Sequence, residues 1–187
     1  MPKQIYIVRH CEAKGQPLES PLTEKGMKQA IHLVEFFRDT KINRILSSPY
    51  VRALQSIEPL SDQQNIKIEM DERLSERILS TTDLPDWYEK LKATFTDLEL
   101  KFEGGESSQE AMNRIVNVIE EVLNSRYENT VIVSHGNIIS LLLHKYKSDF
   151  DFSCWEKLSN PDIFRINYLN NEIAVERIWN QAHINKC

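Results

Sequence analysis

Arg9 and His10 stand side by side just after a short apolar run, Ile5 to Val8. Arg52 follows a second such run and the turn Ser47-Ser48-Pro49, and His135-Gly136-Asn137 follows a third, ending at Ser134. These residue types suit one task. Guanidinium groups present planar forks that match phosphate oxygens in bidentate fashion. Gly136 and Asn137 open a helix whose free backbone N–H groups favour an anion. A neutral imidazole is a good nucleophile toward phosphorus, and two nearby arginines disfavour imidazolium, so His10 is expected to stay unprotonated near neutral pH. An Arg-His pair alone says little; the set gains meaning because each piece lies at a strand exit.

The elements that must position these residues are readable from periodicity. Ile5–Val8, Ile42–Leu46, Ile66–Met70 and Thr130–Ser134 read as strands, and Ile163–Tyr168 with Ile173–Trp179 as a closing β-hairpin. Thr23 caps a helix carrying Met27, Ala30, Ile31, Val34 and Phe37, with Met27 expected in the core. A second helix is expected to start with Ser48 as cap and Pro49 in the first turn, and to fray near Pro59. Pro85-Asp86-Trp87-Tyr88 is a weak helix opening within a poorly patterned stretch, residues 71–102. Ser107-x-x-Glu110 has capping-box form ahead of Ala111, Met112, Ile115, Val118, Ile119 and Val122. The helix after His135 is apolar nearly all round and is therefore expected to be buried.

Alternating strands and helices predict a single three-layer α/β domain over residues 1–187, with a largely parallel sheet and helices on both faces. In such sheets functional groups gather at the carboxyl ends of the strands. The 187 residues, with 41% hydrophobic and 27% charged, suffice for one substantial core. A net charge of −5 argues against a nucleic-acid surface. No apolar run approaches a membrane span of roughly 20 residues, and the amino-terminal run is too short in apolar residues for a signal peptide. The expected location is the cytoplasm. Three cysteines (Cys11, Cys154, Cys187) with no paired spacing indicate neither a disulfide framework nor a zinc site. A cysteine phosphatase needs Arg at the sixth position after its Cys, but Pro17 follows Cys11 there and Asn160 follows Cys154.

Taken together, the motifs resemble those of the histidine phosphatase superfamily, its phosphoglycerate mutase-like branch. Val8-Arg9-His10-Cys11-Glu12 is similar to its Arg-His-Gly signature, and Pro21-Leu22-Thr23-Glu24-Lys25-Gly26 with Gln29-Ala30 to its next motif. Ser48-Pro49-Tyr50-Val51-Arg52-Ala53-Leu54-Gln55-Ser56, Leu74-Ser75-Glu76, Gly104-Gly105-Glu106-Ser107 and Ser134-His135-Gly136 follow in the family's order. The resemblance implies that His10 becomes phosphohistidine, that Arg9, Arg52 and His135 hold the phosphoryl oxygens, and that Glu76 is the acid. Gly136, Asn137 and Gln16 complete the expected substrate-binding set. The implied partner is a small phosphorylated metabolite, with no metal and no other cofactor, because the arginines supply the positive charge.

Two departures stand out. Cys11 replaces the usual glycine, so its side chain must either point away from phosphate or narrow the pocket. Arg77-Ile78-Leu79-Ser80 lacks the Gly-x-Trp-Glu-Gly pattern of many relatives, which leaves Glu72 and Glu106 as reserve acids. Trp87, Tyr88 and Trp155 are candidates for a leaving-group wall or for packing. His32 is expected at the surface, His144 against the carbonyls ending its helix, and His183 in a polar tail. A small-molecule phosphatase is the leading reading. Its alternatives are a phosphoglycerate mutase, a phosphoprotein phosphatase and a non-catalytic regulatory protein on this fold. The short loop from Cys11 to Ser20 favours hydrolysis over mutase chemistry, which must exclude water.

Overall fold

The computed structural model describes residues 3–170 and 172–179; His183 and Cys187 lie outside them. The chain runs β1 (Lys3–Arg9), α1 (Glu24–Phe36), β2 (Arg44–Ser47), α2 (Val51–Gln64) and β3 (Ile68–Met70). After a 3-10 turn at Glu72–Leu74 come α3 (Trp87–Thr96), α4 (Ser108–Asn124), β4 (Asn129–Ser134) and α5 (Gly136–Tyr146). The short α6 (Phe152–Glu156) precedes the hairpin β5 (Asp162–Leu169) and β6 (Glu172–Arg177). One six-stranded sheet has the order β3-β2-β4-β1-β5-β6. Its first four strands are parallel, and β5 and β6 run antiparallel at one side.

Period-two alternation divides the sheet between two cores. Tyr6, Val8, Ile45, Val131 and Val133 face α1 and α2, joining Leu33, Phe37, Ile57 and Leu60. Ile5, Ile7, Leu46 and Ile132 face α4 and α5, joining Ile115, Ile119, Ile139 and Leu142. Burial on both faces explains why the central strands read as continuous apolar runs. Residues 136–143 of α5 are all buried, as an all-round apolar helix requires. The capping box forms as expected, with Ser107 and Glu110 satisfying each other's backbone N–H.

Several local expectations are corrected. Helix α2 begins at Val51 behind Tyr50, and Ser48 does not cap it. The Ser48 hydroxyl is engaged with His135 instead, at 2.7 Å. Pro59 lies inside α2, which continues to Gln64. Ile57 and Leu60 on either side are fully buried; at about 1.5–3 kcal/mol each, that burial offsets a proline cost of roughly 3 kcal/mol. Met27 and Ile31 are 48% and 52% exposed. The buried line on α1 is Gly26, Gln29, Ala30 and Leu33, which turns Met27 and Ile31 outward and leaves His32 half-buried on its flank. Met112 is in the core as expected. His144 bonds the carbonyl of Phe150, beyond its helix, at 2.9 Å.

Gly26 shows how α1 fixes the loop after β1. A Cβ at this position would sit 2.0 Å from the Glu12 carbonyl oxygen. The same loop is held by Glu12 N–H to Gln29 Oε1 at 2.8 Å and by Thr23 N–H to the Glu12 carbonyl at 3.0 Å. Gly to Ala inside a helix ordinarily gains about 0.5–1 kcal/mol. Here Gly26→Ala is expected to lower the thermal midpoint, because backbone must move to admit the methyl group; a raised midpoint would contradict this packing.

Candidate active site

Three parallel strand ends meet at one edge of the sheet. Arg9 pairs with Ser134 in the β1–β4 register, and Ser47 with Val133 in the β2–β4 register. The residues just beyond these pairs, His10, Ser48 and His135, are thereby brought together. His10 N–H donates to the Ser134 carbonyl at 3.1 Å, and Ser48 N–H to that of Val133 at 2.9 Å. The His10 and His135 rings lie with centroids 5.1 Å apart.

His10 Nδ1 lies 2.7 Å from the Cys11 carbonyl oxygen. A carbonyl only accepts, so Nδ1 carries the proton and Nε2 keeps its lone pair. Arg52 Nε–H donates to that Nε2 at 3.2 Å. Burial is the main cause that pushes the His10 pKa down to about 3; Arg52 and Arg9 add to it, and the Cys11 carbonyl opposes it. The neutral imidazole expected from the sequence is present, but desolvation contributes more than the arginines do. His135 is fully buried and is likewise held well below the ordinary histidine range, again by burial first and then by its cationic neighbours.

Both arginines are held by carbonyl groups. Arg9 Nη1 donates to Leu158 and Ser159 carbonyls at 3.1 and 3.4 Å. Arg52 Nη1 donates to those of Gln16 and Pro17 at 2.8 and 2.9 Å. Arg52 is 1% exposed, and its guanidinium lies 4.7 Å from the centre of the Tyr50 ring. Tyr50 also packs against His135 at 4.7 Å. Gly136 lets Arg9 approach, since a Cβ there would meet the guanidinium at 3.0 Å. Among the described residues, Arg9 Nε, His135 Nδ1 and both side-chain polar atoms of Asn137 are buried without a hydrogen-bond partner. Such groups are costly unless something pairs with them. Beside them opens a cavity of about 550 Å³, lined by His10, Arg9, Gln16, Glu76, Gly136 and Asn137 among others.

Glu76 lies at the amino terminus of α5. Its Oε1 accepts from Arg77 N–H at 2.8 Å and Ile138 N–H at 3.0 Å, and its Oε2 accepts from Asn137 N–H at 3.1 Å. The sequence assigned the helix N–H groups to phosphate, but those of Asn137 and Ile138 are taken by this carboxylate. The segment carrying it is tied down by Arg114, which donates to carbonyls of Arg73 and Ser75 at 2.6 and 2.8 Å and of Glu76 at 3.3 Å. Arg114 is itself paired with Glu106 at 2.7 Å. Glu106 is thus a structural partner and is not among the cavity-lining residues; Glu72 is not among them either. This array can bind a phosphate dianion, present a nucleophilic nitrogen to it and supply a nearby carboxyl group for proton transfer.

The sequence profile of the histidine phosphatase superfamily (branch 1) matches residues 5–181. The chain belongs to the histidine phosphatase superfamily. It is accordingly a phosphoric monoester hydrolase by class. A Hydrogenobacter thermophilus protein with phosphoserine phosphatase 2 in its name is 29% identical over 157 residues, 75% of this chain and 77% of that one. A Salmonella choleraesuis protein named for a phosphoglycerate mutase, GpmB, is 28% identical over 191 aligned positions, covering 90% of this chain and 86% of the other. The solved structure of a mycobacterial glucosyl-3-phosphoglycerate phosphatase superposes with a TM-score of 0.76 at 21% identity, covering 96% of this chain and 99% of that one.

Within this superfamily member, Cys11 does not narrow the pocket. Its side chain is fully buried in the core shared by α1 and α2, and its N–H donates to Ser56 Oγ at 2.8 Å. Burial pushes the thiol up to about 12; a buried neutral thiol is a poor target for oxidation. Three contributors escaped sequence reasoning. Ser48 engages His135, Tyr50 braces His135 and Arg52, and Asn160 Nδ2 donates to the His10 carbonyl at 2.7 Å. Ser48 and Tyr50 stood inside a recognised motif; Asn160 carried no local signal.

The depressed His10 pKa has a definite consequence for stability. In the unfolded chain the imidazole binds a proton below about pH 6.5, and in the folded chain only near pH 3. The unfolded state therefore binds more protons between these values, and this contribution to stability is complete above pH 6.5 and is lost as pH falls toward 3. NMR of the imidazole nitrogens should show His10 as the neutral Nδ1-protonated tautomer from pH 5 to 8. An imidazolium signal at pH 6 would contradict the geometry.

Proposed function

We propose that the protein hydrolyses a small phosphomonoester through a phosphohistidine on His10, without a metal ion. The observation that carries this reading is the Nδ1–H bond to the Cys11 carbonyl, which leaves Nε2 as the unprotonated nitrogen beside two arginines. In the first step Nε2 attacks phosphorus and the ester P–O bond breaks. Glu76 passes a proton to the departing alkoxide. Oε2 is the oxygen suited to carry that proton, since it accepts one backbone bond whereas Oε1 accepts two. In the second step Glu76 takes a proton from water, the water oxygen attacks phosphorus, and the N–P electron pair returns to Nε2.

Arg9, Arg52 and His135 stabilise the charge that develops on the phosphoryl oxygens. If the Ser48 hydroxyl donates to His135 Nε2, the ring proton sits on Nδ1, the nitrogen without a partner. Asn137 and Gln16 complete the substrate contacts, and Gly136 admits Arg9. Hydrolysis is favoured over mutase chemistry by the short segment from Cys11 to Ser20 and by Trp87, which lines the cavity yet is 50% exposed. A mutase must keep water from its phosphoenzyme.

His10→Ala should abolish phosphate release while leaving the circular dichroism spectrum and thermal midpoint close to those of the parent. Full turnover in that variant would rule out the nucleophile. Glu76→Gln should slow esters of poor leaving groups by about 10²–10⁴ and activated aryl esters far less. Equal losses on both kinds of ester would remove Glu76 as the acid.

A further inference from the structure

The cavity of about 550 Å³ extends beyond the phosphate corner, and its outer part is walled by Trp87 and Trp155. These two come from different helices but belong to one aromatic assembly. Trp87 meets Tyr88 at 5.8 Å, Tyr88 meets Phe152 at 5.2 Å, and Phe152 stacks on Trp155 at 5.1 Å. Phe152 is 7% exposed and acts as the hub. The Tyr88 hydroxyl donates to the Glu156 carboxylate, tying α3 to α6. Both indoles are thus held before any ligand arrives, and a preformed aromatic wall loses little entropy on binding. It favours a flat ring, whether aromatic or presenting a C–H face.

Charge narrows the choice. A leaving group bearing a carboxylate needs a cation outside the phosphate corner. Arg77 lines the cavity, but all three of its guanidinium nitrogens already donate, Nη1 to Thr94 Oγ1 at 2.8 Å and Nη2 and Nε to the Glu106 carbonyl at 3.0 and 3.2 Å, whereas Arg9 and Arg52 each keep Nη2 for a ligand. Among the described residues that line the cavity, this leaves Lys14, exposed on the loop after β1, where water and salt screen it. Hydrogen bonding narrows it further. Asn137 is 7% exposed and lines the cavity, with Nδ2 and Oδ1 both without a partner among the described residues. A carboxamide offers a donor and an acceptor side by side, which a hydroxyl satisfies in both senses. A carboxylate satisfies only the donor, and an alkyl or aryl group satisfies neither.

We infer that the leaving group is an uncharged, hydroxylated ring, so that the substrate is a sugar phosphate. This inference rests on the phosphomonoesterase reading above. It is tested by steady-state hydrolysis of primary-alcohol phosphates: glucose 6-phosphate and ribose 5-phosphate against benzyl phosphate, O-phosphoserine and 3-phosphoglycerate. p-Nitrophenyl phosphate reports separately whether the hydrolytic machinery works. At least one sugar phosphate should exceed the other three alkyl esters in kcat/KM by about tenfold or more, the scale on which a site built for hydroxyls and ring faces discriminates. Trp87→Ala and Trp155→Ala should each lower the ratio of sugar phosphate to phosphoserine by about tenfold, mainly through KM. The inference is overturned if benzyl phosphate or a carboxylate-bearing ester leads the panel, or if neither tryptophan variant moves the ratio. Silence toward every ester, p-nitrophenyl phosphate included, would instead defeat the phosphomonoesterase reading.

Discussion

One half-buried and one fully buried guanidinium group, Arg9 and Arg52, without a salt-bridge partner among the described residues, set the terms for the rest of this structure. Burying a cation is expensive unless its hydrogen bonds are met. A carboxylate partner would meet them but would also cancel the attraction for phosphate. Arg9 and Arg52 are satisfied by backbone carbonyls, at residues 158–159 and 16–17. The carboxylates whose charge Arg9 feels, Glu76 and Asp162, are engaged elsewhere. Asp162 pairs with Arg177 at 2.5 Å, and Glu76 rests on backbone N–H groups. The positive charge is left available to a ligand, and His10 is kept neutral in its midst.

This division of labour links distant parts of the fold. The hairpin β5–β6 begins beside the site, where Asp162 is the sheet partner of Arg9; its Arg177 holds Asp162, whose carboxylate in turn accepts from Ser159 N–H at 3.0 Å. That loop presents the carbonyls for Arg9 and the Asn160 amide for the His10 carbonyl. On the opposite face, Ser134 Oγ–H donates to the Leu74 carbonyl at 2.6 Å and Arg114 gathers the carbonyls of residues 73, 75 and 76. The amino terminus of α5, a natural anion site, holds the Glu76 carboxylate, which in the proposed mechanism is the acid, with phosphate left to the arginines.

The strand ends, the α4 capping box, the buried α5 and the gathering of Arg9, His10, Arg52 and His135 were all legible in the sequence. Each follows from local periodicity or from residues lying at strand exits. What stayed hidden depends on contacts between remote segments. The Asn160 bond to His10 spans 150 residues, the Ser48 bond to His135 spans 87, and the Arg114 bonds to residues 73–76 span about 40. No local pattern encodes such bonds. Met27 was misplaced for a related reason: hydrophobic spacing alone does not say which of two adjacent helical lines faces the sheet, whereas the close approach of Gly26 to Glu12 does.

All of this converges on one nitrogen. Acid-stable trapping is unsuited to phosphohistidine, so the enzyme should be mixed rapidly with substrate, quenched in base and mapped by mass spectrometry and phosphorus NMR. Phosphate bonded to Nε2 of residue 10 is the expected result. Phosphate on Nδ1, on His135 or on any other side chain, or turnover with no phosphoenzyme detectable at any mixing time, would contradict it.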